Sequence, residues 1–394
     1  MSARRPDTLA LKSRFSRCLE APGRLHFAAH SHHTWPDVSF EAHQRAWLEA
    51  AAELDFKWER IFGEVIPAAQ GHVARILGLG DPSTVVFGPN THDFVRRLFS
   101  CVERKPVRVL TTDGEFHSFT RQVRRWEEAG AAEVERVPVE LFGTFADRFL
   151  ERAESGAHDL IYVSQVFYGS GFVFDRFAEL AERAPEHALL VVDGYHAFFA
   201  LPADLSATED RVFYLAGGYK YAMSGEGVCF LHCPPGVGER PMDTGWYAGF
   251  SELVLGAGAM TAYAHDGSRF FGATFDPSGL YRFVAVMDLW ESEGLTVEEI
   301  HAHARRLQER FLERLEGIGQ RELSPLRLVP DRSFRDRGNF LTFRVPEAAR
   351  VHRDLRAANV VTDYRGDRLR FGFGVYQDEG DVDELVERIA SVAR

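Results

Sequence analysis

The chain has 394 residues, of which 45% are hydrophobic, so it can bury a large core, and we expect one large domain plus a smaller one. Its formal net charge is −12 with basic residues spread among acidic ones, which disfavours a nucleic-acid partner because the sequence shows no concentrated basic face. The N-terminus has no apolar targeting segment, no apolar run reaches membrane-spanning length, and the cysteines suggest buried free thiols. These features predict a soluble, reduced, cytoplasmic protein with neither a nucleic-acid nor a membrane partner.

The first part of the chain predicts an N-terminal arm followed by a helical region from Val38 to Leu77. From about residue 80 to 235, short apolar runs alternate with amphipathic stretches, which indicates a mostly parallel sheet covered by helices on both faces. The seven strand candidates are Thr84-Val-Val-Phe, Val107-Arg-Val-Leu-Thr, Glu135-Arg-Val-Pro-Val, Asp159-Leu-Ile-Tyr-Val-Ser, Ala188-Leu-Leu-Val-Val-Asp, Arg211-Val-Phe-Tyr-Leu-Ala and Gly227-Val-Cys-Phe-Leu.

The C-terminal part predicts two long helices, near Gly279 to Glu293 and Val297 to Ile318, and then a compact α+β segment. We divide the chain into an arm (1–40) that contributes to the small domain and substrate pocket, a large domain (41–290) and a small C-terminal α+β domain (291–394).

Sheets of this kind bind ligands at the carboxyl ends of their strands. One predicted strand ends at Asp193, and the next strand leads to Lys220. An aspartate in this position caps a turn or, alternatively, pairs with a buried cation such as a protonated ring nitrogen. Because the two strands are predicted neighbours, we expect both side chains at the same edge of the sheet.

Lys220 stands out because only four of the 46 basic residues are lysines, and this one lies in an apolar, glycine-rich turn. An amine can lose its proton and form an imine, whereas a guanidinium cannot. The alternative is a lysine whose stem packs on Tyr219 and Tyr221 while its ammonium reaches water.

Two further strand ends complete the predicted site. After the first strand, Asn90 and Thr91 begin a helix whose free N–H groups suit a phosphate. After the second, Phe116 or His117 presents a flat face. A phosphate cradle, a flat ring, a carboxylate and an imine-forming amine together describe a pyridoxal-phosphate (PLP) site.

At this point the chain resembles the class V, fold-type I PLP-dependent enzymes and, within them, is most similar to kynureninase. The motifs that carry the resemblance are Ser164-Gln-Val-Phe-Tyr-Gly-Ser-Gly, Asp193-Gly-Tyr-His-Ala, Tyr219-Lys-Tyr, Gly245-Trp, Arg269-Phe-Phe-Gly-Ala-Thr and Arg368-Leu-Arg-Phe-Gly-Phe. The resemblance implies a seven-stranded, mostly parallel sheet between helices and a smaller C-terminal domain.

The same resemblance implies a role for each matching residue. Lys220 forms the imine with the cofactor, Asp193 pairs with the pyridine nitrogen, His196 lies beside the ring oxygen, and Phe116 stacks on the ring. The residues implied to hold the phosphate are Asn90, Thr91, Tyr219 and Trp246. Thr274 is implied to reach the phosphate of a neighbouring subunit, which predicts a homodimer with shared sites.

The resemblance further implies that Arg370 clamps the substrate carboxylate, and we place Tyr168 in the same pocket. The alternative for Arg370 is an ion pair with Asp363 or Asp367. Strand alternation favours the clamp, because the apolar neighbours Leu369 and Phe371 point to the opposite side.

The N-terminal segment Ala29-His-Ser-His-His-Thr-Trp-Pro replaces the family's Gly-Asn-Ser-Leu-Gly, which lines the substrate pocket. We therefore expect one or two of His30, His32 and His33 in that pocket, as polar contacts or acid–base groups. A His-x-His metal-dependent hydrolase is the remote alternative. No regular eightfold strand–helix pattern supports it, and we predict no metal.

The resemblance implies hydrolytic cleavage of a Cβ–Cγ bond in an amino-acid substrate, with release of alanine. An aminotransferase or β-eliminating lyase acting on another amino acid is the alternative, because these reactions share one carbanion. Cysteine desulfurases need a mobile cysteine late in the chain, and none follows Cys233. A binding protein without activity is disfavoured, because the imine-forming and ring-protonating groups are both present.

Overall fold

The computed structural model describes residues 11–249 and 260–392. Its strands are β1 (Leu25–His26), β2 (Val85–Gly88), β3 (Val107–Thr112), β4 (Ala132–Val137), β5 (Leu160–Ser164), β6 (Leu189–Asp193), β7 (Val212–Gly217), β8 (Cys229–His232), β9 (Phe340–Arg344), β10 (Val360–Val361), β11 (Asp363–Arg365) and β12 (Arg368–Gly372).

The main helices are α1 (Val38–Glu53), α2 (Ile66–Leu77), α3 (Thr91–Ser100), α4 (His117–Glu128), α5 (Phe142–Glu154), α6 (Phe177–Arg183), α7 (Ser278–Ser292), α8 (Val297–Ile318), α9 (Ala348–Ala357) and α10 (Glu379–Val392). The predicted N-terminal helical region is broken, since a short helical turn and a π-helical segment, Ile61–Val65, separate α1 from α2. Within the described ranges, none of these helices is both apolar and long enough to traverse a bilayer.

The central sheet has seven strands in the order β2-β8-β7-β6-β5-β3-β4. Strand β8 runs antiparallel to both its neighbours, and the other strands are parallel to one another. All residues of β2 and of β5 to β8 are buried, as continuous apolar runs between two helical layers require. The predicted mostly parallel seven-stranded sheet is confirmed.

The candidate Glu135-Arg-Val-Pro-Val corresponds to β4, and its predicted start was wrong by three residues. It begins at Ala132 and ends at Val137, whereas the apolar pattern placed it over 135–139. Pairing with β3 extends from Val107–Ala132 to Thr112–Val137, and Pro138 follows without an N–H group to continue the ladder. The proline therefore ends this edge strand.

The second core lies in the C-terminal part. A three-stranded antiparallel sheet, β11-β12-β9, packs with α8, α9 and α10, and β1 pairs in parallel with β10. The two hydrophobic cores separate along α8, where Ile300 belongs to the large core and Ala304 to the small one. The arm contributes to both, since Phe15 packs in the large core and Phe27 in the small one.

This topology brings several chain segments to one edge of the large sheet. The carboxyl ends of β3, β5, β6 and β7 lie side by side there because these strands are parallel. Strand β6 ends at Asp193, and the turn after β7 carries Lys220.

Candidate active site

A cavity of about 670 Å³ opens at this edge of the sheet. Its wall includes nine of the residues that the sequence suggested: Asn90, Thr91, Phe116, Tyr168, Asp193, His196, Tyr219, Lys220 and Arg370. Helices α3 and α4, the loops after β5, β6 and β7, and strand β12 of the small domain supply these side chains.

Lys220 is a buried amine in the cavity wall. Its Nζ contacts Nε2 of His196, and the side chain is only 8% exposed. Burial lowers the pKa of Lys220 to about 7, and the positive charge of Arg370 acts in the same direction. The amine therefore loses its proton near neutral pH, which an imine-forming lysine requires.

Asp193 is a buried carboxyl group held by neutral donors. The Tyr162 hydroxyl donates to Oδ2 at 2.6 Å, and the backbone N–H of Tyr195 donates to Oδ1 at 2.9 Å. Burial raises the pKa of Asp193. It forms no ion pair with any residue of 11–249 or 260–392. A carboxylate with this environment suits an added buried cation.

The residue after Asp193 must be small. A Cβ on Gly194 would lie 2.0 Å from the Tyr214 hydroxyl oxygen, because β6 and β7 pack closely at their carboxyl ends. The Tyr214 hydroxyl in turn donates to Gln165 at 2.7 Å. A side chain on residue 194 would therefore displace Tyr214 from beneath the loop that follows Asp193.

Two aromatic rings flank Lys220. Its Nζ lies 5.4 Å from the ring centroid of Phe116 and 5.4 Å from that of Tyr195. Phe116 is 38% exposed although it is large and apolar, and it precedes the first turn of α4. An exposed phenyl face in a cavity wall is suited to stacking on a flat ring.

Sequence reasoning missed a second buried carboxyl group. Glu115 is 3% exposed and accepts hydrogen bonds from the Ser164 hydroxyl at 2.5 Å and the Thr112 hydroxyl at 2.7 Å. Burial raises the pKa of Glu115 to about 8 despite these donors. Ser164 lines the cavity and pairs in register with Asp193, so Glu115 supports this wall from behind.

The two carboxyl groups after β3, Asp113 and Glu115, point apart. Asp113 accepts from the Val139 N–H, while Glu115 turns to Ser164. The signal that marks Glu115 is its position directly before the exposed Phe116.

The expected phosphate end is built by α3 and Tyr219. Asn90 caps α3 by accepting from the Asp93 N–H at 2.9 Å, and Thr91 is the first residue of that helix. The Tyr219 hydroxyl lies 3.0 Å from Nδ1 of His32. Free N–H groups at a helix start and a tyrosine hydroxyl are suitable donors for a phosphate.

Arg370 is buried and lines the cavity while also forming an ion pair. Its Nη2 donates to Asp363 at 2.6 Å, its Nη1 donates to the carbonyl of Tyr168 at 2.5 Å, and the side chain is 3% exposed. Asp367 instead lies near Arg344 and Arg368. The ion pair with Asp363 was the alternative to a substrate clamp in the sequence analysis. The structure contains that ion pair and also places Arg370 in the cavity wall, where a substrate carboxylate can reach it.

The three N-terminal histidines take separate places. His32 is exposed and contacts Tyr219. His30 is fully buried and stacks on Phe340 at 4.8 Å, and among the described residues neither of its ring nitrogens has a hydrogen-bond partner. His33 is buried with edge contacts to Tyr376. None of the three belongs to the described cavity lining, although Ser31 between them does.

These imidazoles do not gather around one point. Within the described ranges, three potential metal ligands come together at His72, Asp288 and Glu291, on α2 and α7, away from this cavity. Burial lowers the pKa of His30 well below its ordinary value and lowers that of His33 to about 4. Both rings are therefore neutral near pH 7.

Trp246 and Thr274 lie outside the cavity of the same chain. The Trp246 indole N–H donates to the Thr274 hydroxyl at 3.2 Å, and both residues are exposed. Their predicted contacts with a phosphate, in this subunit or its neighbour, remain predictions.

The donor set suits PLP. One cavity, large enough for a small cofactor, is lined by the four kinds of group that PLP needs. They are the amine of Lys220 with its lowered pKa, the buried carboxyl group of Asp193, the exposed face of Phe116 and the start of α3. Each group of the cofactor has a chemically matching partner in the wall.

Comparison with known proteins agrees with this assignment. Residues 300–389 match the family model of the kynureninase C-terminal domain. Kynureninase of Deinococcus radiodurans is 29% identical over 242 residues, which cover 59% of this chain and 56% of that protein. Isopenicillin N epimerase of Streptomyces clavuligerus is 26% identical over 367 residues, covering 86% and 87% of the two chains.

Solved structures share the fold. The cystine C–S lyase C-DES, in complex with cysteine persulfide, superposes with a TM-score of 0.80 at 19% identity and covers 94% of this chain and 98% of its own. A variant of that lyase with glycine covalently linked to its PLP cofactor gives 0.78 at 19% identity, with 96% and 98% covered. Cysteine desulfurase CsdA of Escherichia coli gives 0.77 at 15%, with 98% of both chains covered.

The fold is that of the fold-type I PLP-dependent enzymes. The matches of residues 300–389 and of the Deinococcus kynureninase make the chain similar to class V PLP-dependent enzymes, and to kynureninase among them, as the sequence motifs had indicated.

Proposed function

We propose that this protein is a kynureninase-like hydrolase that cleaves the Cβ–Cγ bond of an amino-acid substrate and releases alanine. The observation that carries the proposal is that Lys220 and Arg370 line one cavity, where Arg370 Nη1 also donates to the Tyr168 carbonyl at 2.5 Å. The match of residues 300–389 to the kynureninase C-terminal domain supports the same choice, since that segment includes Arg370.

The bound cofactor supplies an electron sink that stabilises negative charge at the substrate α-carbon. Asp193 maintains the positive charge on the ring nitrogen, because its buried carboxylate is stabilised by a cation alongside it. Phe116 and Tyr195, whose rings flank Lys220, would hold the flat ring of the cofactor.

Lys220 moves the proton. Its Nζ, which has lost its proton in about half of the molecules at pH 7, removes the proton from the substrate α-carbon, and the neighbouring His196 imidazole keeps the amine in place. Burial and the charge of Lys220 lower the pKa of His196 well below its ordinary value, so this ring stays neutral beside the amine.

Arg370 orients the substrate. Its guanidinium accommodates the α-carboxylate by a charge-assisted pair, with Asp363 fixing the side chain from the other side. A water then adds to the γ-carbonyl, the Cβ–Cγ bond breaks, and kynurenine plus one water gives alanine plus anthranilate.

The test uses purified holoenzyme with kynurenine and detects anthranilate by its fluorescence. Lys220→Ala should lose both the yellow colour of lysine-bound cofactor and the product. Lys105→Ala, which changes an exposed lysine outside the cavity, should keep both. Exchange with a keto acid, or ammonia release without anthranilate, would instead establish the aminotransferase or the β-eliminating lyase.

Epimerisation is a second candidate, because the relative that covers 86% of this chain is an epimerase. It begins with the same removal of the α-proton and needs no hydrolysis. Chiral chromatography of recovered amino acid separates the two: hydrolysis consumes the substrate, whereas epimerisation returns both enantiomers.

A further inference from the structure

An arginine-lined groove lies beside the cofactor cavity. It has a volume of about 820 Å³, and its wall includes His92, His117, Ser118, Arg121, Arg124 and Arg125. His92 and Ser118 also line the cofactor cavity, so the groove and the cavity share a wall. Most of the groove is one face of α4, the helix that begins next to Phe116.

The positive charge of this groove is largely uncompensated. Arg121 and Arg124 are exposed and form no ion pair with any residue that the structure describes. Arg125 lies 3.6 Å from Glu128, the carboxylate in the groove wall. Three guanidinium groups therefore face one carboxylate, on a chain whose formal net charge is −12.

Unpaired arginines in a concave surface are suited to binding an anion. A guanidinium binds carboxylate or phosphate oxygens through two parallel hydrogen bonds, and a concave wall concentrates its field. The rest of an acidic protein's surface repels anions, so an anion binds preferentially in a groove of this kind.

We propose that the groove binds an anionic group, a carboxylate or a phosphate, at the distal end of the substrate. This inference rests on the proposed function, since it takes the amino-acid end of the same molecule to lie in the cofactor cavity near Lys220 and Arg370. It assigns the enzyme a preference for amino acids with a negatively charged tail. Kynurenine, whose side chain is uncharged, serves as an assay substrate that reacts without using the groove.

The experiment titrates holoenzyme with two amino acids of nearly equal length and follows the visible spectrum of the cofactor. Nε-succinyl-L-lysine ends in a carboxylate, and Nε-butyryl-L-lysine ends in a methyl group. We expect the wild type to bind the succinyl compound about tenfold tighter or more, the effect of one charge-assisted contact. Calorimetry with tripolyphosphate as a second probe should give binding to the same groove.

The decisive variant is the double substitution Arg121→Gln and Arg124→Gln. It should bind both lysine derivatives equally, with affinity for the butyryl compound unchanged, and should lose tripolyphosphate binding. Arg353→Gln is the matched control, because Arg353 is an exposed arginine of α9 outside the groove and makes no ion pair with the described residues. It should behave as the wild type.

Two results would overturn the inference. The first is an equal affinity of wild-type enzyme for both derivatives, or a preference that survives the double substitution. The second is a double variant that loses preference only because its oligomer dissociates, which would assign the groove to a second copy of the chain. Either result leaves anthranilate formation by the wild-type enzyme intact. Failure of the proposed function would instead appear as a wild-type enzyme that forms no anthranilate.

Discussion

The pKa of a lysine depends on how far its amine is buried, and Lys220, in the turn after β7, is almost completely buried. In the cofactor-free enzyme its pKa is lowered to about 7 from the ordinary 10.5, first by burial and then by Arg370. Only the neutral amine attacks the cofactor aldehyde. We therefore expect the rate of colour formation to rise about tenfold per pH unit below pH 7 and to level off above it.

Stopped-flow mixing of cofactor-free enzyme with PLP measures the rate of colour formation at each pH. A range of about pH 5.5 to 10 spans the lowered pKa of Lys220 and its ordinary value. A rate that keeps rising toward pH 10 would show an amine with an unshifted pKa. Arg370→Met tests the cause, because removing that positive charge should move the midpoint to higher pH.

Glu115 predicts a pH dependence of stability. Its folded pKa is raised to about 8 from 4.5, so between these values the folded state holds a proton that the unfolded chain has released. Stability therefore falls as pH rises through this window, by at most about 1.4 kcal/mol per pH unit. Glu115→Gln cannot titrate and removes this slope.

Urea unfolding of the wild type and of Glu115→Gln measures the difference in their free energies of unfolding. A range of about pH 5 to 8 lies between the unfolded and the raised folded pKa of Glu115. The free energy of unfolding of the variant should increase relative to that of the wild type toward pH 8, because only the wild type loses stability with rising pH. Parallel curves would mean that Glu115 is ionised in the folded protein. Glu128→Gln, an exposed residue of α4, is the control.

The residues predicted from sequence and those missed differ in a physical way. Asp193 and Lys220 follow strands, and position in the chain alone places strand ends at the sheet edge. Glu115 follows β3, and Tyr162 and Ser164 lie on β5. Their contacts depend on the register of β5 against β3 on one side and β6 on the other. Register between strands is a tertiary property that a single strand's pattern does not contain.

At the scale of elements, the hairpin of β11 and β12 presents Arg370 to the cavity. Asp363 and Arg370 are directly opposite each other across the two strands, and both are buried. Breaking a buried pair by removing one partner leaves an uncompensated charge, which typically costs roughly 3–5 kcal/mol. We expect Asp363→Asn to lower the free energy of unfolding by a value toward the lower end of this range.

Chemical denaturation measures the loss, and the same hairpin supplies a control. Asp367 lies at the exposed turn near Arg344 and Arg368, so Asp367→Asn should change stability by less than about 0.5 kcal/mol. Equal effects of the two substitutions would contradict the buried pair. An amino acid that supplies a carboxylate to Arg370 should restore part of the stability lost in Asp363→Asn.

The elements themselves were largely predictable, and their ends were less so. All seven strands of the central sheet were found because buried parallel strands are continuous apolar runs. The β4 pattern failed because Val139 is apolar and buried, yet lies beyond Pro138, outside the ladder. Hydrophobic pattern reports burial, whereas strand ends depend on backbone hydrogen bonds.

At the scale of the whole molecule, the arm was the least predictable part. One or two of the three histidines of residues 30–33 were expected in the substrate pocket, and two of the three pack into the interior, against Phe340 and Tyr376. Their sequence gives no periodicity, so only the docking of the arm across both cores decides which side chains face the cavity. Homodimerisation likewise remains a prediction.

Exposed apolar groups on α1 agree with a dimer. Phe40, Trp47 and Leu48 are 43%, 70% and 60% exposed, and large exposed apolar side chains commonly mark contact surfaces. Thr274, outside its own cavity, is then free to serve the partner's site. If the sites are shared in this way, two inactive variants should restore activity when they are mixed.

The two variants are Lys220→Ala and Thr274→Val, each expected to be inactive or nearly so as a homodimer. In a mixed dimer one site combines intact Lys220 from one subunit with intact Thr274 from the other. Random reassortment makes half of the dimers mixed, each with one intact site, so about one quarter of wild-type activity should return. Unfolding and refolding an equimolar mixture, followed by the anthranilate assay, measures the recovery. If each site used its own Thr274, no combination of subunits would contain an intact site, and the mixture would stay as inactive as its components.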